Sequence, residues 1–344
     1  MKVNNLHYIE NISTFNISKN NSFHFIRLLC CLIVIYEHSV GLSESSYFNL
    51  QLASTAVATF FILSGFWVTI SLFRSESVKE YAVKRIKKII PPYFTVVIAF
   101  AILLCAFSTL SRKDYFSNAG FWKYLVANLT TLNFLHTSLP GVFEGLPLNG
   151  AVNGALWTIK VEIAFYIVLP FILLMIDKFA KNHSKLIVLI ALYLLSGLYS
   201  VFCHFVSSLK PALSPLENQF PAFMGYFASG MAFAIFWDYF QKILNYAILP
   251  SFVLFIICHR MDSYLSALIL PIVLSCIVFW IATRLSFLGK LVTKDFSFGM
   301  YLVHYPLIML FVQHGYFEHC WFLAFFGVLG LSFAASYLLG KIKL

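Results

Sequence analysis

Residues 23–39 read FHFIRLLCCLIVIYEHS, an apolar run that begins near Phe25 and carries three ionisable groups, Arg27, Glu37 and His38. A membrane-spanning helix needs ~20 mainly apolar residues to cross a hydrocarbon core of ~30 Å. Ten stretches meet that description: 25–41, 52–73, 89–110, 154–176, 186–208, 220–237, 243–258, 265–282, 297–314 and 321–340. They are expected to be helices, because isolated strands would leave backbone groups unpaired in lipid. The reading is an all-α integral membrane protein, a bundle of about ten transmembrane helices. Residues 121–136, with Trp122, Lys123, Asn128 and Asn133, are placed as an interfacial or re-entrant piece of a long loop.

Composition agrees. Of 344 residues, 60% are hydrophobic, 18% aromatic and 11% charged, against roughly 25% charged in a soluble domain. That is too little charge to coat a globule, so lipid is a large part of the solvent. The net charge of +10 does not point to nucleic acid, which requires a solvated basic face, because the basic residues sit in short segments between apolar runs. The seven cysteines are scattered without metal spacing and read as small apolar residues; no metal is expected. Residues 1–24 are polar and Asn-rich without a basic-then-apolar start, so the first apolar run is expected to remain as an uncleaved anchor. Residues 25–344 then form a single transmembrane domain.

Lys and Arg set the orientation through the positive-inside rule. With a cytoplasmic N-terminus, seventeen fall on the inner side and five on the outer side, while Arg27 and Lys160 lie within helices. Both termini are therefore expected in the cytoplasm.

Ionisable groups within the bilayer are costly, so they usually face a protein interior and mark function. Arg27 and His38 are eleven residues apart, about three turns, so they share a face roughly 16 Å long. Arg27 belongs toward the inner end and His38 toward the outer half, which suits a site reached from both sides. The plainer reading has Arg27 snorkelling and Glu37 and His38 meeting water at the helix end. Histidine is the natural general base near neutral pH; Glu37 points about 100° away on an ideal helix and orients His38 only if the helix end distorts. Farther on, Glu162 and Tyr166 are four apart and face the same way, while Lys160 is read either as functional or as reaching the interface. The loop from Arg74 to Lys88 holds KRIKK before Pro91 and Pro92. Lys84, Arg85 and Lys88 there either set topology and meet anionic lipid or neutralise the phosphates of a donor. In DFSFGMYLVHYP, Asp295 and Ser297 are candidate caps. His304, about two turns inside, is either a ligand-facing group or a hydrogen-bond partner for a neighbouring helix.

Five blocks, in order across residues 23–310, resemble acyltransferase family 3, the bacterial membrane sugar O-acyltransferases. They are Arg27 followed by His38; Phe60, Phe61, Ser64, Gly65 and Phe66; Lys84, Arg85, Lys88, Pro91 and Tyr93; PGVFEGLPLNGAVNGALW with Glu162 and Tyr166; and Asp295, Ser297, Gly299, Tyr301, His304 and Pro306. The chain departs from many relatives at His24, at Ile163 and at Lys88, where Asp, a second acidic residue and Arg are usual.

The resemblance implies acetyl-coenzyme A as donor, bound from the cytoplasm, and a glycan or lipid-linked glycan hydroxyl as acceptor, in a bacterial inner membrane. It makes His38, with Glu37 and Glu162, the catalytic candidates. Arg27, Lys84, Arg85 and Lys88 become donor-binding, with Ser64, Tyr166, Tyr301 and His304 in support. The chain is expected to be the stand-alone form, without a further soluble domain. Two other classes stay open on the residues alone: a proton-coupled secondary transporter and a non-catalytic component of polysaccharide assembly.

Overall fold

The computed structural model describes residues 21–179, 184–260 and 266–341. Among them the protein is all-α, 83% helical with no strand. Twelve α-helices of six residues or more follow one another among the described residues: α1 (Phe23–Leu42), α2 (Ala53–Phe73), α3 (Val78–Leu103), α4 (Arg112–Ser117), α5 (Ala119–Leu129), α6 (Trp157–Phe179), α7 (Ser184–Leu209), α8 (Phe220–Ile235), α9 (Trp237–Arg260), α10 (Ser266–Arg284), α11 (Ser297–Gln313) and α12 (Trp321–Leu339). Eight are long and apolar enough to cross a bilayer. Helices α8 and α11 coincide with expected spans but are shorter, at 16 and 17 residues. The stretch 121–136 is helical through α5 and makes one further turn at Asn133–Leu135. Both termini lie outside the described residues.

One expectation is corrected. The basic stretch is not a loop before a span beginning at residue 89; it is the start of α3, which is continuous from Val78. Ser77 accepts the Glu80 amide at 3.1 Å, and the Glu80 carboxylate turns back to the amide of Glu76 at 2.7 Å. These contacts satisfy donors that a helix start otherwise leaves orphaned. Lys and Arg are good helix formers, and no Gly or Pro interrupts the chain before Pro91.

The chain folds as two compact units. The first comprises the described residues up to Ile26, Val57–Arg85 and Val161–Thr293. Its centre is the crossing of α2 and α8. A Cβ at Gly65 would overlap the Phe227 carbonyl, and one at Gly230 would overlap the Ile62 carbonyl. Two glycines thus let the backbones touch, the usual route to association where lipid removes the hydrophobic drive. Phe165 stacks on Phe227 beside this crossing, ring centroids 4.4 Å apart. The second unit comprises Arg27–Ala56, Ile86–Lys160 and the chain from Lys294 onward. In it α11 lies on α12, where Gly299 leaves room for Ser336 and the Ser336 hydroxyl donates to the Phe296 carbonyl at 2.7 Å.

Two prolines create polar attachment points. A proline inside a helix has no N–H for the carbonyl four residues back. Pro170 frees the Tyr166 carbonyl, which accepts from the Tyr81 hydroxyl at 3.1 Å in the first unit. Pro306 frees the Leu302 carbonyl, which accepts from the Asn153 amide at 2.8 Å in the second. Each contact ties a second segment to the helix at the break.

Candidate functional site

In the second unit, α1 and α11 meet through their ionisable groups. His38 Nδ1 lies 2.8 Å from His304 Nε2. The ring planes differ by 5° with centroids 5.1 Å apart. That spacing equals the hydrogen bond plus one ring radius at each end, so the rings meet edge to edge. The other nitrogen of His304, Nδ1, lies 2.7 Å from the Tyr301 carbonyl. A carbonyl only accepts, so His304 Nδ1 carries the proton and its Nε2 offers a lone pair. That lone pair takes the Nδ1 hydrogen of His38, which leaves His38 Nε2 as the unprotonated nitrogen of the neutral pair. No described residue bonds it. His304 is fully buried, whereas His38 keeps part of its surface accessible. The arrangement is an oriented base: one imidazole reachable, the second holding its tautomer.

Toward the start of both helices, Arg27 pairs with Asp295 at 3.1 Å. The other Asp295 oxygen accepts the Ser297 amide at 3.0 Å and the Ser297 hydroxyl at 2.5 Å, capping α11. Burial pushes the Asp295 carboxyl up, but the Arg27 guanidinium and the Ser297 hydrogen bonds outweigh it and hold the carboxyl below its ordinary range. Early residues meet early residues and late meet late, so α1 and α11 run parallel. The two polar contacts sit at opposite ends of one stripe of α1, roughly 16 Å apart at 1.5 Å per residue.

The segment before α6 closes on the His pair. Asn153, held by the carbonyl that Pro306 frees, also accepts the Ala155 amide at 3.2 Å and so starts the next turn. The following Gly154 lies against the ring of Tyr305, which stands edge-on to His38 with centroids 5.5 Å apart. Thr158 and the Tyr301 hydroxyl are 3.1 Å apart. Upstream, Phe143, Leu148 and Asn149 adopt φ of 59°, 55° and 55°, a left-handed conformation uncommon for side chains other than glycine. Phe143 is also fully buried, so surrounding structure imposes its conformation.

A second polar cluster lies in the first unit. The Tyr166 hydroxyl donates to Glu162 at 2.5 Å. The Arg85 guanidinium lies 5.7 Å from the Tyr166 ring centroid and donates to the Ser71 hydroxyl at 2.9 Å. Its Nε is buried with no partner among the described residues. A buried guanidinium N–H left uncommitted suits an anionic ligand.

The sequence candidates therefore fall into distinct groups. His38, His304 and Tyr301 come together, and Arg27 joins Asp295. Glu162, Tyr166 and Arg85 come together in the first unit. Lys84 pairs with Glu80 at 2.5 Å and Lys88 is exposed on the next turn of α3. Ser64 is buried with no hydrogen-bond partner among the described residues. Glu37 does not reach His38: α1 stays regular to Leu42, and the Glu37 carboxylate accepts the amide of Leu52 ahead of α2. Sequence reasoning passed over Asn153, Thr158 and Tyr305. Asn153 carried a signal, an Asn one residue before a helical turn. Tyr305, one of eighteen tyrosines, carried none.

The profile of a family described as an acyltransferase domain matches residues 20–341. Nodulation protein 10 of Rhizobium leguminosarum is 25% identical over 328 residues, covering 88% of this chain and 86% of that protein. The O-acetyl transferase of Shigella phage Sf6 is 26% identical over 158 residues, 44% of this chain and 45% of that one. Peptidoglycan O-acetyltransferase OatA of Listeria monocytogenes is 26% identical over 288 residues, 74% of this chain and 44% of that protein. The matches thus cover less than half of the last two. No solved structure matches.

Proposed function

The chain belongs to acyltransferase family 3 and is a membrane O-acetyltransferase, and on that premise we propose that it moves acetyl from acetyl-coenzyme A to a hydroxyl of a cell-surface glycan or its lipid-linked precursor. The observation that carries this reading is the His38–His304 hydrogen bond, which presents His38 Nε2 as a base. In the reaction His38 Nε2 takes the proton of the acceptor hydroxyl as its oxygen attacks the thioester carbonyl carbon. The C–S bond then breaks, and the departing thiolate takes the proton back from His38. Throughout, the Nδ1 hydrogen stays on the bond to His304, which spreads the charge that His38 gains.

The basic start of α3 supplies the cations for the coenzyme phosphates, with Arg85 offering its uncommitted Nε–H. Arg27, fixed by Asp295, lines the donor's path from the opposite end of the His38 stripe. Donor from the cytoplasm and acceptor from outside then meet at a general base within a bacterial inner membrane. The names of two relatives, an O-acetyl transferase and a peptidoglycan O-acetyltransferase, support acetyl as the group moved and a glycan as its acceptor.

The test is transfer of labelled acetyl from acetyl-coenzyme A in membranes of cells with and without the protein. Label that enters a glycan fraction only when the protein is present supports the reading. Equal incorporation in both would contradict it.

A further inference from the structure

One group beside the His pair is unaccounted for. The Tyr305 side chain is 2% exposed, and its hydroxyl has no hydrogen-bond partner among the described residues. A buried hydroxyl left unpaired destabilises a fold, and phenylalanine would fill the same space without that penalty. Its neighbours nevertheless hold it in place. A Cβ at Gly154 would come within 2.9 Å of Cε2, Cζ and the hydroxyl oxygen, so a larger residue would push the phenol away. Gly154 is itself held through Asn153, whose amide occupies the Leu302 carbonyl that Pro306 frees. The ring stands edge-on to His38, the accessible member of the pair. A preorganised donor, short of a partner and fixed beside the base, is what a group that stabilises developing charge looks like before substrate arrives.

We propose that the Tyr305 hydroxyl donates to the carbonyl oxygen of the acetyl thioester and stabilises the oxyanion that forms there. The assignment rests on the acetyl-transfer reading above. As the acceptor oxygen bonds to the carbonyl carbon, the C=O pair moves onto oxygen, and Tyr305 O–H holds that negative charge. When the pair returns, the C–S bond breaks and coenzyme A leaves as its thiol with the proton from His38. Tyr305 keeps its own proton from start to finish.

The test compares wild type and Tyr305→Phe in reconstituted vesicles with acetyl-coenzyme A and, as acceptor, lipid-linked glycan extracted from cells lacking the protein. Removing one oxyanion donor typically lowers kcat by ~10²–10³-fold. That loss is expected with both KM values nearly unchanged and with thermal stability equal to or above wild type, since the deleted group had no partner. A purely structural tyrosine predicts near-normal kcat in a folded Tyr305→Phe protein, which would overturn the assignment. So would a rise confined to the acceptor KM, which would put the hydroxyl on the acceptor. Gly154→Ala provides an independent check by displacing the phenol while keeping it: kcat should fall, and wild-type kcat in that folded variant would also overturn the assignment. A wild-type protein that moves no acetyl from acetyl-coenzyme A would instead remove the reading beneath it. Wild-type activity therefore separates the two failures.

Discussion

His38 and His304 lie on parallel helices and share one hydrogen bond of 2.8 Å, and the Tyr301 carbonyl dictates which way its proton points. His304→Phe removes the acceptor that holds the His38 Nδ1 hydrogen, freeing His38 to turn or change tautomer. General-base contributions are ~10²–10⁴-fold, so a misoriented base should lose about the lower part of that range in kcat, with KM values little changed. His304→Gln, whose amide oxygen still accepts, should recover part of the rate. Equal rates for the two variants would show that the hydrogen bond is irrelevant.

The Asn153 contact exists because Pro306 lacks an N–H. Asn153→Ala orphans the Leu302 carbonyl, which costs about 1–3 kcal/mol when a buried acceptor is left unpaired. In a Pro306→Ala background the helix supplies its own N–H, so Asn153→Ala should cost clearly less. Unfolding of the four proteins in one detergent gives the coupling; strict additivity would mean the two residues act independently.

The Arg27–Asp295 pair sets a pH dependence with a definite sign. The folded pKa of Asp295 lies below its ordinary value, so the pair's contribution is fully present above ~3.9 and is lost as pH falls through the lower folded value. Asp295→Asn should therefore reduce thermal stability relative to wild type across pH 5–8 by a constant margin. The margin should shrink only in acid below that range. A margin that changed between pH 6 and 8 would assign the effect to another group.

Neutralising Arg85 and Lys88 together should raise the KM for acetyl-coenzyme A and leave the acceptor KM alone, at unchanged protein levels. Arg85 has a buried N–H with no described partner, and Lys88 extends the basic face by one turn. An unaltered donor KM would return these residues to topology and lipid contact.

Much of this was legible because the membrane simplifies the physics. Apolar length alone located ten of the twelve labelled helices, though not α4, α5 or the true start of α3, and the eleven-residue interval placed Arg27 and His38 on one face before any partner was known. The basic stretch was misread because charge masked helix signals present in Ser77-x-x-Glu80 and in a Lys/Arg-rich run without Gly or Pro. Glu37 could orient His38 only if the end of α1 distorted, and α1 stays regular to Leu42; the partner of Glu37 comes from a loop fifteen residues on. The His38–His304 bond and the Tyr305 hydroxyl depend on which helices pack together. No single-chain periodicity reports that.

Whether His38 is the general base is decided by His38→Gln. Glutamine keeps some hydrogen bonding but cannot take a proton from the acceptor. Acetyl transfer from labelled acetyl-coenzyme A should be measured in vesicles carrying equal amounts of folded wild-type and variant protein. A loss of ~10²–10⁴-fold is expected, the range for a missing general base. If folded His38→Gln kept more than about a tenth of the wild-type rate, well outside that range, the base would not be His38.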